Sequence, residues 1–163
     1  MAADQLDRLE HIVREQSVPL IRTLTFVVLD RQLAADIAQE TFLKLYVNWD
    51  KVATHPDLPA WIFRVALNRA RDHRRSLARA SRLVERISGD ASISRGAARW
   101  EPDVGLIDAL RTLPKRQRIA AALFFVGDLP LAEVAQIMGI SEGAVSSHLH
   151  RARAALRNLL EEG

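Results

Sequence analysis

Leu131-Ala-Glu-Val-Ala-Gln-Ile-Met-Gly-Ile-Ser-Glu-Gly-Ala-Val-Ser-Ser-His-Leu-His-Arg-Ala-Arg153 has the grammar of two helices meeting at a tight turn. Val134, Ala135 and Met138 give the first helix an apolar side, and Ala135 is small enough to let a second helix approach closely. Gly139 permits the left-handed backbone of the turn, Ile140 fills the corner, and Ser141 suits the N-cap of the second helix. In that helix Val145, Leu149, Ala152, Leu156 and Leu160 recur at steps of four and three, which predicts one buried stripe. The opposite side presents Ser146, Ser147, His150 and Arg151, with Arg153 and Arg157 further along. These side chains can bond base edges or phosphates in a DNA major groove. A solvated hairpin with a basic face is the plainer alternative, and the small, glycine and capping residues at these spacings weigh against it.

Working outward, apolar spacing is helical nearly everywhere, and glycine and proline fall mostly between periodic segments. The fold class is therefore all-α. Helices are expected over about Asp4–Arg14, Pro19–Leu29, Leu33–Trp49 and Pro59–Arg75, then Val104–Leu110, Ile119–Val126, Leu131–Met138 and Glu142–Leu160. Between Leu77 and Pro102 the pattern loosens into Ser, Gly, Ala and Arg, the composition of a flexible linker. Two small helical domains are thus expected, over 1–76 and 104–163, joined by 77–103.

The 163 residues with 48% hydrophobic content can bury one ordinary core or two small helical ones. Cysteine is absent, which excludes disulfides, thiolate metal sites and cysteine nucleophiles and suits a reducing cytosol. The N-terminal segment carries Asp4 and Asp7 where a signal peptide needs a basic start, and no stretch is long enough to span a bilayer. A cytoplasmic protein without membrane insertion is expected. The net charge of +3 is small, but nine arginines against three acids lie between Arg69 and Arg99, which points to a polyanionic partner.

Two segments of the first half carry further information. In the third helix Ala34, Ala38, Phe42, Leu45 and Trp49 form an apolar stripe, while Asp36, Gln39 and Glu40 project from another side. An acidic patch cannot face phosphate, so a partner for it would be a basic protein surface; plain solvation is the simpler alternative. In the fourth helix Arg64, Asn68, Arg71 and Arg75 fall at steps of four, three and four. Such a stripe suits a single DNA strand: arginines neutralise phosphates, Asn68 can bond a base edge, and the loop from Ala53 to Leu58 could receive a flipped base. Trp61 shares its side with Val65 and is read as core rather than as a stacking platform.

Asp36-Ile-Ala-Gln-Glu-Thr-Phe-Leu-Lys-Leu-Tyr46 followed by Ala60-Trp-Ile-Phe-Arg-Val-Ala-Leu-Asn68 resembles region two of the extracytoplasmic-function sigma factors. Leu110-Arg-Thr-Leu-Pro-Lys-Arg-Gln-Arg118, together with the 131–153 stretch, resembles their region four. The resemblance spans nearly the whole chain. It implies a core RNA polymerase partner, with Asp36, Gln39, Glu40 and Phe42 docking on the clamp and region four on the flap. It further implies that Arg64, Asn68, Arg71 and the preceding loop engage the minus-ten element as its non-template strand melts, and Arg75 of the same stripe is counted with them. Ser146, Ser147, His150, Arg151 and Arg153 would read the minus-thirty-five element as duplex. An anti-sigma protein is a further partner class in this family. Many members carry Lys or Arg where this chain has Ser146, and Arg where it has His148, so the recognition helix here is less basic.

No catalytic residue, metal site or cofactor is expected. There is no phosphate-binding glycine loop or nucleophile elbow, and His148 and His150 point in different directions on one helix. The rival function is a stand-alone helix-turn-helix regulator, which leaves the first hundred residues without a role.

Overall fold

A computed structural model describes the backbone of residues 2–84 and 104–162 and the side chains of 2–75, 105–159 and 161–162. Within them the regular structure is entirely helical, as expected. Residues 85–103, most of the segment read as a linker, and the side chain of Leu160 lie outside this description.

The first helix, α1 (Ala3–Val28), joins the two helices expected over Asp4–Arg14 and Pro19–Leu29 into one, with Pro19 inside it. An internal proline removes one backbone hydrogen bond and costs about 3 kcal/mol. Burial of one leucine or phenylalanine returns roughly 1.5–3 kcal/mol. The C-terminal half of α1 buries Leu20, Leu24, Phe26 and Val27, so packing overrides the local signal. The polar groups on this stretch are satisfied within the helix: Thr23 and Thr25 hydroxyls donate to the carbonyls of Pro19 and Ile21 at 2.8 and 2.7 Å. Leu29 ends α1 in the left-handed region (φ 59°), and Asp30 caps the next helix by accepting from the Leu33 amide at 3.0 Å.

Helix α2 (Arg31–Val47) runs back along α1 and buries Ala34, Ile37, Ala38, Thr41 and Leu45. A single turn, α3 (Trp49–Val52), sets the buried Trp49 beneath the hairpin. Asp57 then caps α4 (Leu58–Val84), accepting from the Ala60 amide at 3.1 Å. Ile62, Phe63, Ala66, Leu67 and Ala70 seal this helix against α1 and α2, and Trp61 is half-buried at the edge of the same core. The backbone stays helical through Val84, past the point near Arg75 where the Ser/Gly/Arg composition makes a loop expected.

The second half contains α5 (Val104–Arg111), α6 (Lys115–Ala121), α7 (Leu131–Met138) and α8 (Glu142–Glu162) around Leu110, Leu113, Leu123, Val134, Ile137, Val145 and Leu149. The helix expected over Ile119–Val126 begins earlier, at Lys115, and its last five residues, Ala122–Val126, widen into a π turn. The Gly127 amide closes that turn on the Ala122 carbonyl at 2.9 Å.

The two halves are closed on each other, sharing one continuous buried cluster. The C-terminal part of α1 meets α6 and the π turn, and α4 meets α7. Arg118, only 6% exposed, donates from Nε to the Val27 carbonyl at 3.2 Å. Gly127 sits tightly between its own turn and α1: a Cβ there would lie 2.8 Å from the Leu123 carbonyl oxygen of that turn and 3.2 Å from Thr23 Oγ1 of α1. Gly127→Ala is therefore expected to destabilise the protein by about 1–3 kcal/mol, the usual cost of overpacking. A lowered urea midpoint would show it; an unchanged midpoint would mean that the π turn yields freely.

Candidate nucleic-acid interface

The helix pair α7–α8 has the geometry its sequence requires. Gly139 adopts φ 67°, the left-handed conformation that glycine enters without steric cost. The Ile140 amide reaches the Ala135 carbonyl at 3.1 Å, closing the turn, and Ser141 Oγ accepts from the Ala144 amide at 3.1 Å. Val145, Leu149 and Ala152 are buried and Leu156 is half-buried, while Ser146, Ser147, His150, Arg151, Arg153 and Arg157 are exposed on the other side. Arg153 lies over the Phe125 ring, 5.2 Å from its centroid, which anchors its stem on the π turn. His148 is half-buried, and its Nδ1 is enclosed with no hydrogen-bond partner among the described residues. Its departure from the basic pattern therefore falls at the edge of the packed side of α8, whereas that of Ser146 falls on the open face.

On α4 the structure brings Asn68, Arg71 and Arg75 together on an exposed strip and adds Arg74 to it. Arg64, the first member of the stripe, is held elsewhere. Its Nη2 lies 3.2 Å from Glu133 Oε2 and also bonds Gln136 Oε1, both on α7. Sequence spacing sets which residues share a face of one helix; it cannot report a neighbour 69 residues away. The loop expected to form a base pocket is braced by the His55 amide on the Val52 carbonyl, the Asp57 amide on His55 Nδ1, and Arg8 on the Ala53 carbonyl at 2.9 Å.

On α2, Asp36 and Gln39 are exposed, and Asp36 accepts from Gln32 at 3.2 Å. Glu40 is half-buried between α2 and α4, paired with Arg69 at 3.3 Å and His73 at 3.0 Å. Phe42 does not join this face. It is half-buried in an apolar groove of about 410 Å³ against α1, with Leu6, Leu9, Val13 and Tyr46. The acidic face continues instead into Leu43 and Val47, which are 63% and 72% exposed and line an open groove with Glu40 and Arg69. The 36, 40, 43, 47 spacing is the available signal for these two apolar members.

Each half of the chain matches a known family. The Sigma-70 region 2 profile matches residues 12–80, and the Sigma-70 region 4 profile matches residues 104–156. The chain is also similar to the RNA polymerase sigma-E factor of Streptomyces avermitilis, 30% identical over 99% of this chain and 89% of that protein. The chain belongs to the sigma-70 family of RNA polymerase sigma factors. Its similarity to the ECF RNA polymerase sigma factor SigM of Bacillus subtilis, 30% identical over 87% of this chain and 88% of the relative, puts it in the extracytoplasmic-function group. The fold is shared with the sigma factor RpoE of Bartonella quintana in complex with the anti-sigma factor NepR, at a TM-score of 0.72 and 23% identity over 93% of this chain and 98% of that one. It is shared also with CnrH in complex with the cytosolic domain of CnrY, at 0.67 and 23% over 94% and 88%. Region 2 takes in α1 to α4 and region 4 takes in α5 to α8, so the sigma factor is not a free-standing helix-turn-helix regulator. Among the described residues no helix is long and apolar enough to cross a membrane, and no group of three or more potential ligands is placed to hold a metal ion.

Proposed function

We propose that this sigma factor docks on the clamp of core RNA polymerase through Asp36, Gln39, Glu40, Leu43 and Val47 of α2. Phe42 supports that face by packing α2 on α1. Region 2 (1–76) engages the melted minus-ten element with Arg64, Asn68, Arg71 and Arg75. Region 4 (104–163) binds the polymerase flap and reads the minus-thirty-five duplex with Ser146, Ser147, His150, Arg151 and Arg153, and 77–103 connects the two. The factor works in the cytoplasm, carries no catalytic residue, and directs initiation at a particular set of promoters. An anti-sigma protein covering the α2 face would compete with polymerase for it. The observation that carries this proposal is the presence, in one chain, of an acidic-apolar face, an Arg–Asn strip and a helix-turn-helix with its polar side open.

The closed arrangement bears on how the factor acts. Elements centred ten and thirty-five bases upstream of the start lie about 25 base pairs apart, roughly 85 Å along B-form duplex. Arg64 and Glu133 touch in the closed form, so both elements cannot be held until the halves separate. That ion pair is partly exposed and contributes only about 0.2–1 kcal/mol. The apolar contact of α1 with α6 and the π turn is the larger part of what polymerase must offset.

Arg151→Ala, in holoenzyme on its own promoter, is expected to weaken discrimination at one minus-thirty-five position by about 1–3 kcal/mol, the value of a good base contact. A uniform loss across all sequences would instead assign Arg151 to a phosphate.

A further inference from the structure

A second charged feature lies where α4 passes the start of α6. An open cavity of about 390 Å³ is lined by Arg71, Arg74, Arg75 and Lys115. Arg64, Arg69 and Arg111 each have a carboxylate partner, whereas these four have none among the described residues. The ammonium of Lys115 is held below its ordinary range first by partial burial, then by Arg74 and Arg71 and by its neighbours Arg118 and Arg116. Three of the lining cations come from region 2 and the fourth from region 4, so closing the molecule drives like charges together. The floor beside them is apolar and fixed, formed by Val27, Val28, Leu67, Ala70 and Ile119. The basin therefore belongs to the closed form, and among the described residues no carboxylate lines it to offset the repulsion of its four cations.

Four converging cations with no carboxylate partner among the described residues call for a compact, multiply charged anion. Guanidinium forks match phosphate oxygens two at a time, and a lysine serves as a point charge beside them. A single chloride or carboxylate would offset one cation and leave three. We propose that the closed sigma factor binds a small oligophosphate in this basin, bridging Arg71, Arg74 and Arg75 to Lys115. The bound anion holds region 4 against region 2 and occupies arginines needed for promoter DNA; that last consequence rests on the DNA role proposed above for Arg71 and Arg75.

Isothermal titration of the full chain with inorganic tripolyphosphate tests it, with sulfate at matched ionic strength as the comparison. One tripolyphosphate per chain is expected, with sulfate at least about tenfold weaker. Lys115→Ala should weaken binding by about tenfold, the loss of one charge-assisted contact, and Arg74→Glu with Lys115→Glu should abolish it. Arg14→Ala, on the exposed surface of α1, should leave binding unchanged. Absence of one-to-one binding, insensitivity to Lys115→Ala, or equal sensitivity to Arg14→Ala would each overturn the site. Failure to bind tripolyphosphate while the holoenzyme depends on Arg71 and Arg75 for transcription would overturn the basin alone. Normal binding, with transcription indifferent to Arg71→Ala and Arg75→Ala, would support the basin and remove the DNA role.

Discussion

Reversing Asp36 and Glu40 to lysine together is expected to lower affinity for core RNA polymerase by at least about a hundredfold, or roughly 2.7 kcal/mol. Like charges brought face to face across an interface cost several kcal/mol, and both substitutions would set cations on a face proposed to meet a basic surface. The exposed Leu43 and Val47 beside them supply the apolar centre that such interfaces need, and the acids fix its orientation. Glu40 also pairs with Arg69 and His73, so its reversal disturbs the α2–α4 contact. Those pairs are partly exposed and contribute about 0–1 kcal/mol each, too little to unfold the domain. Glu40→Gln separates the effects, since it removes the charge without adding repulsion and should give a far smaller loss. Anisotropy of a labelled factor titrated with core polymerase measures all three proteins. Unchanged affinity of the double variant would place the docking face elsewhere.

The largest stability effect is expected at Trp49. Its side chain is 1% exposed beneath the α1–α2 hairpin, and the Arg8 guanidinium lies 5.7 Å from its ring centroid. Trp49→Ala should cost about 3–5 kcal/mol, from lost burial and the cavity left behind. Domains of this size are typically stable by only about 5–15 kcal/mol, so most of the margin would go. Trp49 Nε1 is enclosed with no hydrogen-bond partner among the described residues, so Trp49→Phe breaks no bond to them and should cost less than half as much. Urea unfolding followed by far-ultraviolet circular dichroism gives both values. Equal costs for the two variants would show that the indole nitrogen contributes more than its geometry indicates.

Much of this is legible in the residues. Gly139, Ser141 and the Val145–Leu149–Ala152 stripe specify the helix-turn-helix locally, because a left-handed turn, a cap and a four-three spacing each depend on a few neighbouring side chains. The α4 strip and the acidic side of α2 are visible for the same reason. Proline at position 19 misleads, because its local cost is outweighed by tertiary burial of Leu20, Leu24 and Phe26. The family motif groups Phe42 with the acidic residues, although its helical position turns it toward α1. What stays out of reach is long-range: Arg64 on Glu133, Arg118 on the Val27 carbonyl, Gly127 against Thr23, and Lys115 beside Arg74. Each joins residues at least 41 positions apart, and each depends on how the two halves close. Neither helical periodicity nor local turn chemistry carries that information.

Run-off transcription on sheared DNA from the native cell, with purified core polymerase and this chain, checks the promoter-specific initiation proposed for it. The expected result is a discrete set of transcripts that requires both components, begins downstream of shared minus-ten and minus-thirty-five sequences, and disappears with the Asp36/Glu40 double reversal. Tight binding to a duplex site by the chain alone, with no transcript when core polymerase is added, would contradict it.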